Sequence, residues 1–266
     1  MLVIFFILGL IVGSFLNVVI ARLHTAETIL GHSHCPRCQA KIRWYDNIPL
    51  FSFVVLGTKC RDCREKISWQ YPAVELTTGI LFALVGSYFL NANNAQSWLA
   101  TFYYLIIFAL LLVIFVYDFR HMEVPMIAVW LGIGITVAYY LLFDWMNFSG
   151  SLGIMSLNIF SGMLAGAAAF LFFFLLSAGS REKWMGMGDS YVALLAGLAV
   201  KWPGIFAALI LAFAIGAIYG IILIVSGKKT MKSQVPFAPF LVAGTILVIL
   251  IPKIFPAVKY WLILNI

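Results

Sequence analysis

Asp118 and Asp189 are the residues of this chain whose chemistry most needs explaining. Each stands at the edge of an apolar run. Asp118 closes Phe102–Tyr117, seven residues before Pro125, and Asp189 follows Gly186-Met187-Gly188 and opens another run. An ionisable carboxylate beside a hydrophobic helix is expensive to keep in or near lipid, which makes it a functional residue by default. The glycines lack Cβ, so the backbone at 186 and 188 can bend and approach a second surface closely. If the two aspartates meet, they cannot both ionise cheaply, and a pair sharing one proton offers one base and one acid. The base deprotonates a water that attacks an amide carbonyl, and the acid protonates the carbonyl oxygen. Which aspartate plays which part stays open, because coupled groups titrate as a pair. Neither HExxH nor GxSxG occurs in the sequence to offer a rival protease mechanism.

A second constellation is Cys35-Pro36-Arg37-Cys38 with Cys60-Arg61-Asp62-Cys63, the only four cysteines of the chain. Two CxxC turns about twenty residues apart can present four thiolates to one tetrahedral ion, a closed structural zinc site. A redox pair and disulfides are the alternatives. His32 and His34 lie nearby, but the cysteines suffice. Asp46 stands between the two turns, and Glu75 stands one turn into the next apolar segment. Glu75 reads either as an interfacial glutamate or as a contact for a positively charged ligand. In the first apolar segment, Asn17 reads first as a hydrogen-bonding residue between helices, beside the small residues Gly13 and Ser14.

These residues must be positioned by membrane helices. The chain is 64% hydrophobic and only 10% charged, with mean hydropathy +1.04, whereas soluble domains carry about 25% charged residues. The expected fold is an all-α polytopic bundle of about eight transmembrane helices. It divides into a first helix (1–20), a cytosolic zinc-binding insert (21–71) and a helical bundle with the aspartate pair (72–266). The small-residue face of the fifth segment, with Gly162, Ala165 and Gly166, offers a surface for a neighbouring helix. The net charge of +7 follows from the positive-inside bias and does not call for nucleic acid. Eight spans with both termini outside place 14 of the 17 Lys and Arg inside, leaving Lys201, Lys253 and Lys259 outside. That orientation sets Asp118 and Asp189 on the same, cytosolic, side.

Gly13-Ser14-Phe15-Leu16-Asn17, the two CxxC pairs, Tyr71-Pro72 through Glu75, Asp118 with Pro125, and Gly186-Met187-Gly188-Asp189 occur in one order. The ordered set resembles the type IV prepilin peptidases, the prepilin leader peptidase/N-methyltransferases, over residues 13–189. The resemblance implies a GxGD aspartyl protease of the bacterial inner membrane, with Asp118 and Asp189 as the catalytic pair and no catalytic metal. Its implied substrates are type IV prepilins or pseudopilins embedded in the bilayer, whose basic leader is cut at the cytosolic face. The mature pilin helix would enter the bundle laterally, with the fifth segment as a candidate acceptor. It also implies N-methylation of the new terminus from S-adenosylmethionine, for which Glu75 and Asp46 are candidate contacts. Two positions depart from the family pattern. A lysine often follows the GxGD aspartate, where this chain reads Ser190-Tyr191, and an acidic residue often lies two positions after the first aspartate, where it has Arg120. A GxGD protease with another substrate and a proton- or cation-coupled transporter are the alternatives.

Overall fold

The computed structural model describes residues 1–25, 27–28, 31–91, 94–147, 158–183, 185–230 and 234–254. Ser149, Gly150, Lys232, Lys259 and the expected start of the fifth segment at 154–157 lie outside the described residues. Among the described residues the protein is all-α: α1 Leu2–Thr25, α2 Phe51–Val55, α3 Gln70–Tyr88, α4 Ala95–His121, α5 Met126–Met146, α6 Asn158–Ser180, α7 Met187–Val200, α8 Gly204–Val225 and α9 Ala238–Ile254. Five of these, α1, α4, α5, α6 and α8, are long and apolar enough to cross a membrane. Helix α3 carries Glu75 within its apolar surface, and α7 and α9 are shorter apolar helices.

Helix α1 runs beyond the expected end near Ile20 and takes in Arg22 and His24. It can do so because Arg22 is buried, its guanidinium donating to the carbonyls of Thr28 (2.9 Å) and His32 (3.0 Å). The charge is thereby solvated by the backbone of the following polar segment. Against α3, α1 packs closely through small residues: a Cβ on Gly13 would lie 2.7 Å from the Glu75 Cα. Asn17 secures the same seam by donating to the Tyr71 carbonyl at 3.1 Å. It is a packing residue, buried between the two helices.

The centre of the bundle is α7, whose residues from Asp189 to Val200 are almost all buried. Its neighbours are α5, α6, α8 and α9. Gly162, Ala165, Gly166 and Ala169 of α6 are buried, and Gly162 and Gly166 abut the Leu198 and Leu194 carbonyls of α7. For these residues the expectation of a surface that receives a substrate helix is corrected, because α7 already fills it, while Ala167 and Ala168 of the same stripe remain exposed. At the far end of α5, Asp144 accepts hydrogen bonds from the Asn158 side chain (2.6 Å) and the Ile159 N–H (3.0 Å). It therefore caps α6, satisfying amides that would otherwise lack partners.

At Gly197, a Cβ would sit 2.6 Å from the Ala165 carbonyl oxygen and the Gly166 Cα, whereas one at Gly134 would meet nothing within 4 Å. Gly197→Ala is expected to destabilise the bundle by about 1–3 kcal/mol through overpacking. Gly134→Ala is expected to leave stability unchanged or raise it slightly, alanine being the better helix former. Thermal unfolding of the two variants in one detergent checks the contrast.

Candidate active site

Asp118 lies in the last turn of α4, 4% exposed, and Asp189 lies in the first turn of α7, 9% exposed. The two carboxylates, far apart in sequence, are near enough to act on each other electrostatically. Helices α5 and α9 each pack against both α4 and α7 and so hold the two ends together. After Asp118, Met122 ends α4 in the left-handed conformation (φ 54°), its N–H donating to the Asp118 carbonyl at 2.8 Å. The chain then turns through Val124 to α5. Val124 meets Gly188 directly: a Cβ on that glycine would fall 2.8 Å from Val124 Cγ2 and 2.9 Å from its Cβ. The segment after one aspartate thus packs on the residue before the other. Gly186 has no such contact, and its φ of −70° suits any residue.

The two carboxylates have different partners. Asp189 lies beside the Ala238 backbone N–H at the start of α9. That amide is held in place by Phe237, whose ring packs against Phe173 of α6 (5.4 Å) and Phe213 of α8 (5.0 Å). Asp118 Oδ2 is buried without a hydrogen-bond partner among the described residues. An orphaned polar atom inside a bundle is costly, and at an acidic pair it marks the place where a water or a substrate carbonyl can be received. Among the described residues no ion pair reaches either aspartate. Tyr191, two residues after Asp189, packs between Trp130 (5.5 Å) and Phe170 (5.4 Å).

The four cysteines form a second centre. Residues 33–42 and 58–67 repeat one fold at an offset of twenty-five. In each, the first cysteine N–H bonds five residues ahead (Cys35 to Ala40, Cys60 to Glu65), and the residue after the second cysteine turns left-handed (Gln39 φ 60°, Arg64 φ 59°). Isolated bridges His34–Lys41 and Lys59–Lys66 close the two hairpins. All four Sγ atoms lie within 4.8 Å of one another, with Cys35 and Cys63 at 3.9 Å. Tetrahedral zinc at a Zn–S distance of about 2.3 Å puts its sulfurs roughly 3.8 Å apart, so the cluster fits. Burial opposes ionisation of Cys35, but the N–H groups of Cys38 and Arg37 and the neighbouring thiols lower it to about 7. The Glu65 N–H works to lower Cys63, but burial and the three other sulfurs push it up to about 12. Four sulfurs this close need a dication before all can shed their protons.

Asp46 and Glu75 do not join the aspartate pair. The Arg61 guanidinium grips Asp46 with two hydrogen bonds (2.9 and 2.6 Å), holding its carboxyl below the usual range. That clamp ties the 3₁₀ turn Trp44–Asn47 to the second knuckle. Glu75 is buried in α3, where it accepts the Leu50 N–H (2.9 Å) and lies beside the Ser14 hydroxyl. Leu50 itself adopts φ 59°, just before α2. Glu75 therefore fastens the cysteine insert to α1 and α3. Val124, Ala238, Leu50 and Arg61 were not singled out in the sequence. Only the knuckle repeat and the Pro236-Phe237-Ala238-Pro239 pattern could have pointed to any of them.

Residues 7–89 match the bacterial peptidase A24 N-terminal domain, and residues 105–221 match the type IV leader peptidase family. The prepilin leader peptidase/N-methyltransferase of Bacillus subtilis is 30% identical over 250 residues, covering 93% of each chain. A type 4 prepilin-like proteins leader peptide-processing enzyme of Escherichia coli is 32% identical, again covering 93% of each. The Myxococcus xanthus prepilin leader peptidase/N-methyltransferase is 33% identical over 86% of this chain and 66% of its own length. No solved structure matches.

The purified chain should carry about one zinc, and Cys35→Ser with Cys38→Ser should lose it, as atomic absorption will report. Glu75→Ala should expose residues 43–58 to limited proteolysis, whereas Glu75→Gln, which can still accept from Leu50, should leave them protected.

Proposed function

The chain belongs to the type IV leader peptidase family, and from that premise we propose that Asp118 and Asp189 are its catalytic pair. The observation carrying the proposal is the convergence of two buried carboxylates from separate helices, one beside a backbone amide and the other with a free oxygen. The protein removes the leader from type IV prepilins or pseudopilins and has an associated N-methyltransferase activity. In the cleavage step, a water between the carboxylates gives its proton to the ionised member, and its oxygen bonds to the scissile carbonyl carbon. The protonated member gives its proton to the carbonyl oxygen. Collapse of the resulting diol breaks the C–N bond, and the departing amine takes a proton from the pair.

We read eight helices, α1 and α3 to α9, as spanning the bacterial inner membrane with both termini outside. The aspartate pair and the zinc insert then lie at the cytosolic face, where a basic leader resides. A structural zinc in the insert is supported by the fit of the four thiols, and S-adenosylmethionine would supply the methyl group. The engagement of Asp46 by Arg61 and of Glu75 by Leu50 argues that neither is a primary contact for that donor. Positioning of the insert is the role their partners support.

Mass spectrometry of a co-expressed prepilin tests this reading, because it reports leader loss and the added methyl together. Asp118→Asn and Asp189→Asn, each alone, should abolish leader removal while membrane insertion persists. Cleavage retained by either variant removes that residue from the mechanism. Gly188→Ala should cut cleavage on the order of a hundred-fold by displacing Val124 and with it the Asp118 end of the pair. Adding Val124→Gly should restore part of that loss. A double variant as poor as the single would show that the contact does not set the geometry.

A further inference from the structure

The insert reaches down alongside α1. Through its hydrogen bond to Glu75, Leu50 sits at the level of Gly13 and Ser14. At 1.5 Å per residue, that level is ~12 Å along the helix from Arg22, the first charged residue of α1. At this depth the outer face of α1 is apolar and exposed, with Ile7, Ile11 and Phe15 among its residues. Between that face and the insert runs a half-open groove of about 620 Å³, closed on its other side by Trp44, Ile48 and Pro49. It shares Gly31, Ser33, Trp44 and Asn47 with a second recess of about 570 Å³, to which Lys41 and Arg43 contribute.

The two recesses differ in chemistry. The first is greasy and opens sideways onto a lipid-facing helix. The second is cationic. Asp46, in the same turn as Trp44, is already gripped by Arg61, while Arg43 bonds the neutral Tyr45 hydroxyl (2.7 Å). Lys41 is exposed with no acidic partner among the described residues. Trp44 stands where the two meet, as indole rings do at membrane interfaces. Irregular backbone at membrane depth is tolerated where it is buried in protein or lines a filled cavity, and the 3₁₀ turn beside α1 is such backbone.

We propose that the paired recesses bind one anionic phospholipid, with an acyl chain along α1 between Ile7 and Val18 and the phosphate beside Lys41 and Arg43. A basic leader segment is repelled by the same cations, as is the positively charged sulfonium of a methyl donor. Free phosphate would leave the apolar half unfilled. The inference rests on the membrane reading of α1 and is independent of the roles of Asp118 and Asp189.

Native mass spectrometry of the full, zinc-loaded chain with phosphatidylglycerol and with phosphatidylcholine of matched chains tests it. One phosphatidylglycerol should be retained in preference to phosphatidylcholine. Lys41→Gln should weaken phosphatidylglycerol retention about five-fold, the worth of one cation near a headgroup, without changing phosphatidylcholine. Ile11→Trp, which fills the groove, should weaken both, and unchanged zinc content will report an intact insert in each variant. Equal retention of the two lipids, or indifference to Lys41→Gln, overturns the proposal. So does inorganic phosphate binding as tightly as the lipid, or displacement of the lipid by S-adenosylmethionine.

Discussion

A carboxylate inside a lipid-surrounded bundle must find a hydrogen-bond donor, because the desolvation of an unpartnered charge exceeds what packing around it returns. The three buried acids of this protein meet that constraint in different ways. Glu75 takes the Leu50 N–H beside the Ser14 hydroxyl, and in doing so fixes the cysteine insert where α1 and α3 pack together. Asp189 lies beside the Ala238 N–H at the start of α9. Asp118 leaves one oxygen bare. The first is a fastening, whereas the other two form an unequal pair. What distinguishes the roles is donor supply, since all three acids are comparably hidden from solvent.

Donor supply is in turn a matter of where helices begin. Backbone amides are free only in a helix's first turn, so a buried acid that needs one must lie near a helix N-terminus. Leu50 immediately precedes α2 and Ala238 opens α9. The short helix α2 would be marginal alone; it is held by the metal-binding knuckles on one side and by Glu75 on the other. The ring of Phe237 between Phe173 and Phe213 does the corresponding work at α9, since it sets the angle at which the chain enters the helix. Aromatic packing some distance from the carboxylates thus decides whether one of them has a donor.

Much of this was legible in the sequence, and the parts that were not share a cause. The apolar runs, the two CxxC turns and the two aspartates are local patterns. A residue's own type and its near neighbours announce them. Asn17 between helices was likewise readable, because an amide beside small residues has few other uses in an apolar segment. Backbone donors leave no such mark: nothing in the letters for Leu50 or Ala238 says that its N–H meets a carboxylate 25 or 49 positions away. The fifth segment was misread for a related reason. A stripe of Gly and Ala shows that something packs closely, but does not say whether the neighbour is a substrate or, as found, the protein's own α7. Asp46 shows the same limit, since its partner Arg61 belongs to the other knuckle.

The two glycines before Asp189 show why a motif must be resolved residue by residue. Flexibility was the expected reason for both, yet neither has a positive φ in this structure, so conformational freedom explains neither. Gly188 is required by space, since Val124 occupies the volume a Cβ would need. Gly186 faces open surroundings, and its glycine identity has no steric account here. The contact at 188 also fixes a distance: the backbone before one aspartate cannot separate from the segment after the other without losing a packed interface. In a bundle where α4 and α7 are joined largely through α5 and α9, that small direct contact shortens the mechanical path between the two carboxylates. A glycine at this position is therefore part of what brings the pair together, although it carries no chemistry of its own.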